Sequence, residues 1–134
     1  MHERLVRAFD ERPASESPVE SLRHAYVATS HVDERDRSQV VLLGRILAEA
    51  PVLRARAHGE RATETAPLIA RLAERMRVDP HTDPRPRTAV VAMAAVASSE
   101  WQAWVETGGE GDPAARINAA LQILERGLAG TSLG

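Results

Sequence analysis

No cysteine occurs in the 134 residues, which excludes disulfides, thiolate nucleophiles and cysteine-bound zinc. Lysine is missing as well. All 17 basic positions are arginine, a pattern that, with the abundance of alanine, reads as GC-rich coding rather than as function. Aromatic residues make up only 3%, with one Phe, one Tyr and two Trp, so a core has to be assembled from Leu, Val, Ile and Ala. No apolar run reaches the roughly 18 residues that cross a bilayer, and the N-terminus carries no signal-peptide pattern. The expected location is the cytoplasm, with no membrane partner. A formal net charge of −2 argues against unaided nucleic-acid binding, because neutralising phosphates takes a basic surface.

A hydrophobic share of 43% and a charged share of 27% are those of an ordinary folded protein, and the length suits one domain over residues 1–134. Start and stop signals divide the chain into helices. Leu5, Val6 and Phe9 sit at helical spacing in a segment that reads like the tail of a longer helix and ends before Pro13. Ser17-Pro18-Val19-Glu20 is a capping box with proline at the first helical position, opening a helix to about His31 with Leu22, Ala25, Tyr26 and Thr29 on one face. Asp33 is expected to cap a third helix carrying Val40, Val41, Leu43, Ile46 and Leu47. Pro51 stops it and starts a fourth, running to about Arg77 with Val52, Leu53, Ala62, Ala66, Ile69, Leu72 and Met76 inward. Pro67 inside that helix predicts a kink or break near Thr63–Ala66.

Asp83-Pro84 and Asp112-Pro113 are caps for two final helices, separated by Gly108-Gly109. The first of these is apolar nearly all the way round from Ala89 to Ala97, which requires cover on more than one side, part of it from a second copy. The second carries Ile117, Ala120, Leu121, Leu124 and Leu128 at spacings of three and four. No strand is predicted. The expected fold is all-α, an antiparallel helical bundle of about six helices.

Candidate chemistry is thin. His24 and His31 lie two turns apart and could line a cavity together, but helical metal ligands prefer spacings of three or four, so polar contacts are the better reading. The alternating acid–His–acid set Asp79, His81 and Asp83 reads as a solvated loop, and Ser98-Ser99-Glu100 as small-residue packing with no histidine beside it. The run Asp33 to Arg37 reads as self-paired. Arg54, Arg56, Arg61, Arg71, Arg75 and Arg77 could rim an anionic ligand, but Glu60, Glu64 and Glu74 are spaced to pair with them. No phosphate loop, dinucleotide fingerprint or zinc-protease motif is present. No metal, no cofactor and no enzymatic activity are therefore expected. His24, Tyr26, Thr29, Leu43, Leu47, Met93, Val96 and Trp101 together have the make-up of a small-molecule pocket, mostly apolar with a few polar groups. A filled core fits the same residue types equally well.

Three stretches resemble the C-terminal domain of TetR-type transcriptional regulators of actinobacteria. They are Arg12-Pro13 through Ser17-Pro18-Val19-Glu20-Ser21-Leu22-Arg23; Leu43-Gly44-Arg45-Ile46-Leu47-Ala48-Glu49-Ala50-Pro51-Val52-Leu53-Arg54-Ala55-Arg56; and Ala97-Ser98-Ser99-Glu100-Trp101-Gln102-Ala103-Trp104. The middle stretch is most similar to the branch that includes acyl-CoA-responsive regulators. The resemblance implies a small apolar or acyl-type effector bound between the central helices. It also implies a homodimer in which the last two helices of each copy form a four-helix bundle. Val90, Ala94, Ala97, Ser98, Trp104, Ile117, Leu121, Leu124 and Leu128 are the interface candidates on that basis. Such regulators carry an N-terminal helix-turn-helix domain, and residues 1–12 match only the tail of the helix that links it to the effector domain. DNA contact is thus expected only through a domain that this chain lacks. The implied role is the effector-binding and dimerisation domain of a repressor. The alternative is a stand-alone helical homodimer acting as an interaction protein.

Overall fold

The computed structural model describes residues 2–129, with the side chains of 3–56 and 65–128. They form α1 (His2–Asp10), α2 (Pro18–Ala28), a 3-10 turn (Glu34–Asp36), α3 (Arg37–Glu49), α4 (Pro51–Met76), α5 (Arg85–Glu106) and α6 (Pro113–Ala129). No strand occurs among the described residues, so the fold is all-α, as expected.

The helix starts follow local chemistry. The Ser17 hydroxyl accepts the Glu20 N–H at 3.2 Å, with Pro18 in the first turn of α2. Asp83 accepts the Arg85 N–H at 3.0 Å and Asp112 accepts the Ala114 N–H at 3.0 Å, each satisfying an otherwise orphaned donor. The stops differ from the expectation in places. Helix α2 ends at Ala28 rather than near His31, because the Thr29 hydroxyl donates to the Ala25 carbonyl and that of Ser30 to the Tyr26 carbonyl, closing the last turn with side chains. Asp33 caps the 3-10 turn and not an α-helix. Helix α4 runs unbroken through Pro67, so no break occurs near Thr63–Ala66. Both α4 and α5 finish in paired backbone bonds of the Schellman type, Val78 N–H to Ala73 carbonyl and Gly109 N–H to Trp104 carbonyl, with Arg77 left-handed at φ 60° in the first and Gly108 at φ 87° in the second.

The main core draws on five helices. Phe9 from α1, Leu22 from α2, Leu68 and Leu72 from α4, Met93 from α5 and Ile117 from α6 are all buried in it. Helix α3 contributes nothing to that core. It is held by a smaller cluster of Val41, Trp104 and Val105, with Gly44 lying so close to Val105 that a methyl group there would sit 2.8 Å from its Cγ2. The consequence overturns an expectation. Leu43 and Ile46 of α3 are 58% and 47% exposed, and Val52 and Leu53 at the start of α4 are 73% and 39% exposed, because α3 docks along one edge and none of the described residues covers its other side. Ala66 is exposed too, and the buried face of α4 turns instead through Leu68, Ile69, Leu72 and Ala73. Ala62 lies outside the described side chains.

The turn after α5 makes the packing testable. Gly109 has φ +72°, and a methyl group added there would fall 2.3 Å from Val41 Cγ2 and 3.2 Å from Trp104 Cζ2. Gly108 has φ +87° but open space around it. Gly108→Ala should cost about 1 kcal/mol of backbone strain alone. Gly109→Ala adds a clash in a filled corner and should cost about 3 kcal/mol or more. Urea denaturation of the two variants measures the difference, and equal losses would show that Gly109 does not clamp α3 against α5.

Candidate functional site

The predicted pocket residues do not converge on one cavity. Met93 is fully buried and Tyr26 is 9% exposed, both filling the main core, while Leu43 stands on the surface. Thr29 closes the end of α2 by bonding back to Ala25. Val96 and Trp101 are half-buried against the main core, and Trp101 also stacks on Trp104 at 5.3 Å with a 46° tilt, bridging the two clusters. Leu47 is half-buried on α3. Open concavities lie elsewhere. One, of about 450 Å³, runs between α1 and α4 and is lined by Glu3, Val6, Arg7, Asp10, Glu11 and Pro67. Another, of about 310 Å³, sits at the start of α3 against the Gly108 turn, lined by Arg37, Ser38, Val41, Leu42 and Arg45.

His24 and His31 belong to two separate polar contacts. His31 Nδ1 lies 2.7 Å from Asp112 Oδ2, tying the end of α2 to the cap of α6. Burial pushes the Asp112 carboxyl up, but hydrogen bonds from His31 and from the backbone N–H groups of Ala114 and Val32 outweigh it and hold the group below its ordinary value. His24 Nδ1 lies 2.6 Å from Glu16 Oε2, and Glu16 also accepts from Arg12 Nε at 2.8 Å and from the Ser21 hydroxyl at 3.1 Å. The Arg12 hydrogen bonds are the main reason that the Glu16 carboxyl is lowered from 4.5 to about 2. This knot fastens the α1–α2 turn, which the sequence reading missed. Its signal was the four-residue spacing of Arg12 and Glu16. Glu16, Glu20 and His24 can each bring one ligand atom within 4.8 Å of the others, but a cation there would have to displace the Arg12 guanidinium.

Because the folded carboxyl titrates below the unfolded one, the contribution of Glu16 is full above about 4.5 and is lost as pH falls towards about 2. Glu16→Gln should therefore lower the melting temperature at neutral pH, with the gap to the parent closing across that acid window. A gap that stays constant on acidification would show that the charge of Glu16 is immaterial.

The arginines of α4 are mostly spoken for. Arg71 meets Asp10 at 4.0 Å and Glu74 at 3.9 Å, Arg54 donates to the Ala48 carbonyl at 3.3 Å, and Arg75 donates to the Pro13 carbonyl at 2.6 Å while its guanidinium lies 5.5 Å from the centre of the Phe9 ring. Arg61, Glu60 and Glu64 lie outside the described side chains. The acidic-basic run after Asp33 is self-paired, Arg35 to Asp33 at 3.2 Å and Arg37 to Glu34 at 3.8 Å. In the loop before α5, Asp83 pairs with Arg85 at 2.8 Å and His81 is exposed. Glu100 binds Arg116 at 2.6 Å, linking α5 to α6.

Burial also sorts the interface candidates. Val90, Ala97, Trp104, Ile117 and Leu121 are each at most 8% exposed within one chain, so a partner has almost nothing there to cover. Ala94, Ser98, Leu124 and Leu128 are half-buried. The outward positions are others. Val91, Ala95 and Ser99 recur every four residues on α5, and Ala115, Ala119 and Ile123 do so on α6, all exposed, with Val91 at 49% and Ile123 at 70%.

The profile of the MftR C-terminal domain, one of the TetR-type C-terminal domains, matches residues 16–129. The chain belongs to that family. No curated protein matches it. Among the described residues, no helix is long and apolar enough to cross a membrane.

Proposed function

We propose that this domain binds a small lipophilic, acyl-type effector and dimerises through α5 and α6, as the sensing half of a TetR-type repressor. The observation that carries the effector reading is the uncovered apolar surface at the α3–α4 corner. Leu42, Leu43, Ile46, Val52 and Leu53 are between 39% and 73% exposed, and among the described residues the other exposed large apolar side chains are Val91 on α5 and Ile123 on α6. An apolar molecule sheltered under α3 would recover part of that burial, at roughly 25 cal/mol for each Å² removed from water. Helix α3 is suited to move, since it takes no part in the main core and rests on the smaller Val41, Trp104 and Val105 cluster.

Helix α4 supplies the route to the other end. Its start carries the exposed Val52 and Leu53, and its later turns pack Leu68, Ile69 and Leu72 in the core beside Phe9 of α1. Arg71 and Arg75 fasten the same turns to Asp10 and Pro13. A shift of α4 would therefore carry α1, the tail of the linker helix, with it. The effector acts only if it binds one placement of α4 better than the other.

The test uses Trp101, which bridges the two clusters. Titration with a fatty acyl thioester should shift tryptophan emission and raise the melting temperature saturably. A panel of single-chain lipophiles that changes neither would count against an apolar effector at this corner.

A further inference from the structure

We propose that the cleft at the start of α3 is an oxyanion site, taking a phosphate-class group between Arg37 and Arg45. It lies where the first turns of α3 face the Gly108 turn, and the inference stands whether or not the corner takes an apolar effector. The two arginines are eight residues apart on one helix, about 12 Å along its axis, a span that two long side chains can close from either end. Both line the same concavity of about 310 Å³, with the Ser38 hydroxyl between them and Gly108 forming the far wall. Gly108 brings no side chain into the mouth, and nothing lies within 4 Å of where one would begin.

Charge favours an anion here. Arg45 is exposed, and no ion pair or hydrogen bond holds its guanidinium among the described residues. Arg37 meets only Glu34, at 3.8 Å, through a carboxylate that is 86% exposed and so gains little from the contact. The nearby Asp33 is already engaged by Arg35 at 3.2 Å. Asp36, at the cap of α3, makes no side-chain cap hydrogen bond, so its carboxylate does not tie up the backbone N–H groups of the first turn. Guanidinium groups bind phosphate oxygens in pairs of parallel hydrogen bonds, and a hydroxyl at the helix start adds a third direction. Glu34 is the competing acid, and Asp36, Glu106 and Glu110 are the other acids nearest in sequence to the lining.

An oxyanion of this class could arrive free or as the head of an amphiphile, since Leu42 borders the cleft and is 60% exposed. Isothermal titration calorimetry of the whole chain at low salt distinguishes the sources, using inorganic phosphate and monomeric decyl phosphate as probes. Saturable binding is expected. Arg45→Ala should weaken it about tenfold or more, the loss of a charged hydrogen bond. The circular dichroism of that variant should match the parent, because Arg45 is exposed. Glu34→Gln should tighten binding by removing the competitor. If decyl phosphate binds more tightly than phosphate and Leu42→Ser removes the margin, the group is an amphiphile's head; equal affinities identify a free oxyanion. No saturable binding of either probe, or binding that Arg37→Ala and Arg45→Ala leave unchanged, would overturn the site.

Discussion

Trp104→Ala is expected to cost about 3–5 kcal/mol, the range for removing a large aromatic side chain from a filled core. Small domains have only about 5–15 kcal/mol in total. Trp104 is 1% exposed and is the largest fully buried side chain. Its ring fills the corner under Gly109 and beside Val41, lies against Trp101, and donates Nε1–H to the Gly111 carbonyl at 3.1 Å. Truncation therefore leaves a cavity, and the Gly111 carbonyl without its donor, at a joint between α3 and α5. Trp104→Phe keeps most of the volume and loses the hydrogen bond, so it should cost less, about 1–2 kcal/mol. The loss is also expected to be local. Amide exchange in α3 should accelerate more than exchange in α2 or α6, whose side chains pack in the separate main core. A Trp104→Ala protein within about 1 kcal/mol of the parent, the size of an ordinary substitution, would show that the corner is not a structural joint.

On the proposed dimer through α5 and α6, Ile123→Arg should leave the folded chain almost as stable as before and abolish self-association. Ile123 is 70% exposed, so a single copy loses little by the change. In a twofold dimer every substitution enters the interface twice. Two apolar contacts disappear and two like charges are set at a desolvated surface. Together these should cost about 3 kcal/mol or more, which is at least a hundredfold in the dissociation constant. Arg23→Ala makes a useful contrast, because Arg23 joins α2 to α6 inside one chain through Glu125 at 2.6 Å and Asn118 at 2.7 Å. It should lower the melting temperature without dissociating the dimer. Sedimentation velocity separates the two effects, and an Ile123→Arg protein that still sediments with the parent would place the interface away from α6.

The parts of this fold legible in the sequence are those governed by neighbours along the chain. Ser17, Asp83 and Asp112 each announce a helix start because their side chains reach backbone donors two or three residues on. Pro51 marks the α3–α4 corner for the same local reason. The all-α class and the family follow from such signals together with the three quoted stretches, and residues 16–129 carry the match.

Tertiary placement was less legible. Helical spacing shows that Leu43 and Ile46 share an apolar face but not that the face stays exposed, which depends on α3 docking through the side that carries Val41 and Gly44. The apolar girth of Ala89 to Ala97 conceals which side meets the core. Val90 and Ala97 turn inward, and Val91 and Ala95 turn out. Gly109 reads as a break, whereas its lack of a side chain is what lets Val41 and Trp104 close together. Glu16 gave little warning of the Arg12, Ser21 and His24 contacts that converge on it, since three elements of local geometry must coincide to form them.

The most direct measurement is native mass spectrometry of the purified chain at micromolar concentration, followed by denaturation of the same sample. A dimer that releases a small apolar molecule is the predicted result, since the outward faces of α5 and α6 and the uncovered α3–α4 corner would then both be occupied. A monomer carrying no ligand would contradict the reading of this chain as an effector-binding and dimerisation domain.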